Sequence, residues 1–95
     1  MLDNTLIVYL SDSGEAHHPS LYEWPVVLVG NLGGRLKTDG RYLQFPNYGT
    51  TKHRTTANFF CTLMHAVGKP RDTFGVADPG LRDLDQSGVV AELLA

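Results

Sequence analysis

Asp12, His17 and His18 are the residues whose types and spacing best suit chemistry in this 95-residue chain. Asp12 lies just past a continuous apolar run, Thr5-Leu6-Ile7-Val8-Tyr9-Leu10. In parallel α/β sheets, the carboxyl ends of strands are where ligands bind. A carboxylate with one or two imidazoles on such a loop could hold a divalent cation: Zn²⁺, Mn²⁺, Ca²⁺ or Mg²⁺. The same residues also suit a plainer role, with Asp12 closing a turn through its own backbone and the histidines standing on a solvated loop. Asp-x4-His-His is not a specific metal signature, so spacing alone leaves both roles open.

A second cluster is cationic. His53 with Arg54, Lys52 and Arg41 could form a small anion-binding patch near the start of an expected helix. Helix starts favour anions through unpaired N–H groups and the dipole. The plainer alternative is a solvated helix start. Cys61 reads as a buried structural thiol, because no cationic residue at a suitable spacing activates it. His65 sits inside the helical stretch as a surface or boundary residue, and Trp24 as a packing residue. Gly30-Asn31-Leu32-Gly33-Gly34 is glycine-rich, but no Lys-Ser/Thr follows and it opens no helix, so it is not a phosphate loop.

The elements that must position these residues can be read from the apolar pattern. Thr5–Leu10 and Val26–Gly30 lack polar alternation and read as strands covered on both faces, as in a parallel sheet. Ser11-Asp12-Ser13-Gly14 ends the first with turn residues, and Pro25 suits the start of the second. Arg35-Leu36-Lys37 and Arg41-Tyr42-Leu43-Gln44-Phe45 flank Thr38-Asp39-Gly40, which predicts a small β-hairpin. Phe60, Leu63, Met64 and Val67 repeat at i, i+3, i+4, i+7, which predicts the main helix over about 55–67. Phe59 and Ala66 widen that stripe. Gly68 and Pro70 end the helix, and Thr50, Thr51, Thr55 and Thr56 are its available N-caps. Residues 71–87 read as an ordered loop pinned by Phe74 and Leu81. Residues 89–94 read as a short C-terminal helix capped by Ser87 or Asp85. The fold class is α/β, in one small domain over residues 1–95.

Composition excludes several classes. Apolar residues make up 42% and charged residues 19%, below the roughly 25% usual in soluble domains, which excludes a disordered chain. A net charge of −2 leaves no broad basic face for nucleic acid. A single cysteine makes no internal disulfide. No apolar run approaches the roughly 20 residues that span a bilayer, and no signal-peptide pattern is present in this chain.

Three stretches, taken in order, resemble the alkaline phosphatase superfamily of phosphatases, sulfatases and cofactor-independent phosphoglycerate mutases. Asn4 to Gly14 is similar to its late strand and metal loop, where a strand ends in Ser/Ala-Asp-His-Gly. Within that superfamily the chain looks most like the C-terminal part of an uncharacterised, typically exported bacterial domain family. The likeness rests on Pro25-Val26-Val27-Leu28-Val29-Gly30, on Gly33-Gly34-Arg35-Leu36-Lys37-Thr38-Asp39-Gly40-Arg41-Tyr42-Leu43, on Asn58 to Gly68, and on Asp72-Thr73-Phe74-Gly75. The resemblance implies a partial alkaline-phosphatase-like fold in which Asp12 matches a metal-binding Asp and either His17 or His18 matches a later metal-binding His. Ser13 stands where the active enzymes have a second ligand His. It also implies a missing N-terminal portion that carries the nucleophilic Ser or Thr and the remaining ligands. The expected function is that of a segment of a metal-dependent phosphate or sulfate ester hydrolase-like domain, without catalysis by the isolated chain. The alternative is a non-catalytic structural or protein-interaction module. Two buried-type strands usually belong to a larger sheet, so exposed apolar surface and a homo-oligomer are expected.

Overall fold

The computed structural model describes residues 2–10, 25–46, 53–76 and 85–95. After a 3₁₀ turn at Leu2–Asn4 come strand β1 (Ile7–Leu10), strand β2 (Val26–Val29), helix α1 (Thr56–Ala66) and a 3₁₀ turn at Ala91–Leu93. β1 and β2 form a two-stranded antiparallel ribbon in the register Ile7↔Val29, Val8↔Leu28, Tyr9↔Val27, Leu10↔Val26. The chain is thus a small α/β unit with one main helix.

The ribbon corrects two sequence expectations. The strands are antiparallel to each other, and they are not covered on both faces. Tyr9 is 73% and Val27 54% exposed, and Ile7, Leu10, Val26 and Val29 are exposed as well. Apolar residues on both faces say only that a strand is suited to burial. Here no third described strand pairs with the ribbon and α1 does not pack across it, so the face of Ile7, Tyr9, Val27 and Val29 stays open while Val8 and Leu28 on the other face are half-buried.

Beyond β2 the chain doubles back on the segment before β1. Leu32 N–H donates to the Thr5 carbonyl at 3.4 Å and Gly33 N–H to the Asp3 carbonyl at 2.7 Å. Gly30 has φ +95°, and a Cβ there would collide with the Thr5 carbonyl, so the close approach requires glycine. The expected hairpin does not form. Asp39-Gly40 turns, but its flanks do not pair with each other. Leu36 instead bridges antiparallel to Leu94, with Lys37 N–H donating to the Leu93 carbonyl (2.8 Å) and Ala95 N–H to the Arg35 carbonyl (3.1 Å). Local turn chemistry favoured the hairpin; the C-terminal segment competes for the same backbone groups and takes them. The short C-terminal helix is one 3₁₀ turn whose N-cap, Val90, has no side-chain bond.

Helix α1 begins at a reciprocal cap. Thr55 Oγ1 accepts from Asn58 N–H (3.3 Å), and Asn58 Oδ1 accepts from Thr55 N–H (2.9 Å). It ends at Val67, with Gly68 at φ +81° directly after. Its buried face is Asn58, Cys61, Thr62 and Ala66, whereas Phe60, Leu63 and Met64 are half-buried and Val67 is exposed. At 3.6 residues per turn these two sets lie on opposite sides of the helix. The bulky stripe identified the helix, but the smaller, partly polar face fills the core, beside Leu36 and Val90.

Asn58 is 2% exposed, and its Nδ2 donates to the carbonyls of Ser87 (2.8 Å) and Gly88 (3.3 Å). Thr62 Oγ1 donates to the Asn58 carbonyl (2.8 Å) and accepts from Val90 N–H (2.8 Å). Removing a buried partner leaves the others desolvated and unpaired. Asn58→Ala, which strands two carbonyls and deletes half of the cap, is expected to destabilise the chain by about 2–4 kcal/mol, whereas Thr56→Ala at the exposed first turn stays within about 0.5 kcal/mol. Urea denaturation midpoints check both.

Candidate functional site

Asp12, His17 and His18 lie outside the described residues, as do Lys52, Trp24 and Leu81. β1 ends at Leu10, so Asp12 follows the strand end by two positions. No group of three or more His, Cys, Asp or Glu side chains converges among the described residues.

The cationic cluster is described in part. Arg41 Nη1 donates to the Lys37 carbonyl (2.9 Å) and to the Glu92 carbonyl (2.7 Å). Arg54 Nη2 lies 4.0 Å from Glu92 Oε1, an exposed pair worth little in water. His53 Nδ1 lies 2.7 Å from the Pro46 carbonyl. The structure therefore brings Arg41 and Arg54 together, and the group they share is Glu92 of the C-terminal segment. A third guanidinium acts similarly: Arg35 Nη1 donates to the Ala66 carbonyl (3.2 Å), at the helix end where unpaired carbonyls favour a cation. Arg41 thus ties the last residues to the 35–41 segment, Arg35 ties that segment to the end of α1, and Arg54 sets a weak exposed ion pair with Glu92 beside the start of α1. Arg54 Nε is buried with no hydrogen-bond partner among the described residues.

Sequence spacing did not reveal that role, because Glu92 is 51 residues from Arg41 and a carbonyl acceptor leaves no sequence signal. The same holds for Asn58, whose partners lie 29 and 30 residues away. The local half of its role was visible in principle as Thr55-x-x-Asn58 before an apolar run.

Cys61 is fully buried on α1 and is the free cysteine of the chain. Burial pushes its thiol above the usual range, and the Asp72 carboxylate adds to the rise. It is the inert structural thiol that the sequence indicated. His65 is half-buried, with Nε2 unpaired among the described residues. Phe74 stacks on Phe60 with ring centroids 4.9 Å apart, and Phe59 meets Phe60 at 5.5 Å; residues 77–84 of the expected 71–87 loop lie outside the described residues.

Asp85 caps a turn rather than the C-terminal helix. Its carboxylate accepts from Ser87 Oγ (2.6 Å) and Ser87 N–H (3.0 Å). The Ser87 hydroxyl bond, then its backbone bond, hold the Asp85 carboxyl below the usual aspartate range; slight desolvation opposes them and Arg54 adds to them. That turn presents the Ser87 and Gly88 carbonyls to Asn58.

Two measurements test these assignments. Cys61 is expected to resist a water-soluble disulfide reagent in the native chain and to react stoichiometrically once denaturant unfolds it. Because the folded pKa of Asp85 is depressed, its stabilising contribution is complete above the unfolded carboxylate pKa and is lost as pH falls through the folded value. Asp85→Asn is therefore expected to flatten the acid limb of stability against pH while changing its slope near neutrality little. No protein-family model, no curated protein and no solved structure matches this chain.

Proposed function

We propose that this chain is a non-catalytic α/β module that completes its hydrophobic layers against further polypeptide. The architecture intended is that of the C-terminal part of an alkaline-phosphatase-like, metal-dependent phosphate or sulfate ester hydrolase-like domain. The observation that carries this reading is the β1–β2 ribbon. Its eight residues are uncharged and almost entirely apolar, yet the face of Ile7, Tyr9, Val27 and Val29 is exposed and the opposite face, with Val8 and Leu28 half-buried, is only partly covered. Isolated two-stranded ribbons are marginal in water, and unguarded apolar edges invite further pairing. The outer stripe of α1, Phe60, Leu63, Met64 and Val67, supports the same reading, since it too is incompletely covered.

A second reading concerns what the module contributes. Asp12, two residues past the end of β1, together with His17 or His18, would supply part of the ligand set for a divalent cation. In the enzymes the chain resembles, a hydroxyl nucleophile attacks between two cations. Ser13 replaces one ligand and the nucleophile is not among these residues, so cation binding, not turnover, is the activity proposed here.

Light scattering across a concentration series tests the first reading. The chain is expected to self-associate. Tyr9→Lys combined with Val27→Lys, two exposed residues opposite each other in the ladder, is expected to leave it monomeric. A monomer at the highest attainable concentration would overturn the reading. Calorimetric titration with Zn²⁺ and Mn²⁺ tests the second: binding is expected to be lost in Asp12→Ala, and an unchanged isotherm would sink the cation site without touching the assembly reading.

A further inference from the structure

Asp39-Gly40 occupies a turn whose expected hairpin is not formed, and this leaves it chemically open. Both residues are exposed. Gly40 has φ +59°, and nothing stands within 4 Å of the place a Cβ would occupy. Among the described residues the Gly40 N–H makes no hydrogen bond. An aspartate followed by an unhindered amide nitrogen can close a five-membered ring, and glycine is the residue that hinders closure least. Other described aspartates are less favourably placed. Asp72 precedes the β-branched Thr73, Asp3 sits in a 3₁₀ turn, and the Asp85 carboxylate is held by Ser87.

We propose that Asp39-Gly40 is a site of spontaneous covalent modification, isomerising to isoaspartate, and that the change loosens the C-terminal segment. The Gly40 nitrogen attacks Cγ of the protonated Asp39 carboxyl. An N–Cγ bond forms, the Cγ–OH bond breaks, and the hydroxyl leaves as water with the amide proton. Water then adds to one of the two ring carbonyls. Addition at Cγ restores aspartate. Addition at the main-chain carbonyl breaks the original peptide C–N bond and leaves the chain running through Cβ and Cγ, with a free α-carboxylate. No oxidant, reductant or cofactor enters the balance.

The consequence follows from position. IsoAsp39 adds one backbone carbon between Lys37 and Arg41. Arg41 spans that turn to the Lys37 carbonyl and reaches the Glu92 carbonyl of the C-terminal segment. The neighbouring backbone bonds, Lys37 N–H to Leu93 and Ala95 N–H to Arg35, share that seat. A longer turn shifts Arg41 and weakens the clasp from its solvent-exposed side.

The test is timed incubation of the intact chain at mildly acidic to neutral pH, followed by proteolysis and mass spectrometry with electron-based fragmentation. The expected result is an isomeric peptide of unchanged mass, diagnostic for isoaspartate at position 39, preceded by a water-loss intermediate. Asp39→Glu is expected to abolish it. Asp39→Asn is expected to react several-fold faster through the same ring, with the mass gain of deamidation. Isoaspartate at position 39 no more abundant than at position 72 would overturn the site. In the modified fraction, hydrogen exchange at the Lys37 and Ala95 amides is expected to quicken. Unchanged exchange there would overturn the coupling to the C-terminal segment.

Discussion

The fold depends on a buried amide and a buried hydroxyl, Asn58 and Thr62, holding the last eleven residues against the helix. Polar groups without partners are costly in a protein interior, so their hydrogen bonds specify geometry more sharply than apolar contact does. Asn58 serves two tasks at once. Its oxygen caps the first turn of α1, and its nitrogen binds the Ser87 and Gly88 carbonyls. Thr62, one turn on, continues the line to Val90. With residues 87–90 fixed there, Leu93–Ala95 falls beside Arg35–Lys37 and takes the backbone groups that a local hairpin would have used. Asp85 and the three arginines then secure the arrangement from its margin.

That constraint also explains why the rest of the molecule is open. The core sits on one side of α1 and is made of small and polar side chains, Cys61, Thr62, Asn58 and Ala66, against Leu36 and Val90. The larger apolar residues of α1 face the other way, and the ribbon stands apart from the helix. Burial of apolar surface is the main favourable term in folding. A chain that leaves two valines, an isoleucine and a tyrosine in water on one face of a sheet has a surface suited to a further layer. The assembly reading rests on that mismatch between residue type and environment.

Much of this was legible in the sequence, and the boundary is physical. Both strands and the helix were visible because apolar runs and 3.6-residue periodicity are local signals; Gly68 as the helix end was visible for the same kind of reason, whereas four threonines competed for the N-cap and only the fold selects Thr55. Cys61 was legible as buried from its neighbours. The functions of Arg41 and Arg54 were not, since Glu92 is 51 and 38 residues away from them in sequence and only folding brings it to them. Which face of α1 is buried was also hidden, because two opposite stripes satisfy the same period and the heavier one is not the one packed.

By itself, the sequence determined the two strands and the main helix, the glycine that ends that helix, the absence of an internal disulfide, and the candidate cation ligands at Asp12, His17 and His18. These follow from local geometry and side-chain chemistry. Only the tertiary structure decided that the strands run antiparallel, that Leu36 pairs with Leu94 instead of across its own turn, that Arg41 fastens the C-terminal segment, and that Arg35 holds the end of α1. Each of those outcomes is a competition among backbone partners far apart in the chain. Its winner is set by which partners reach one another once Asn58 and Thr62 are satisfied.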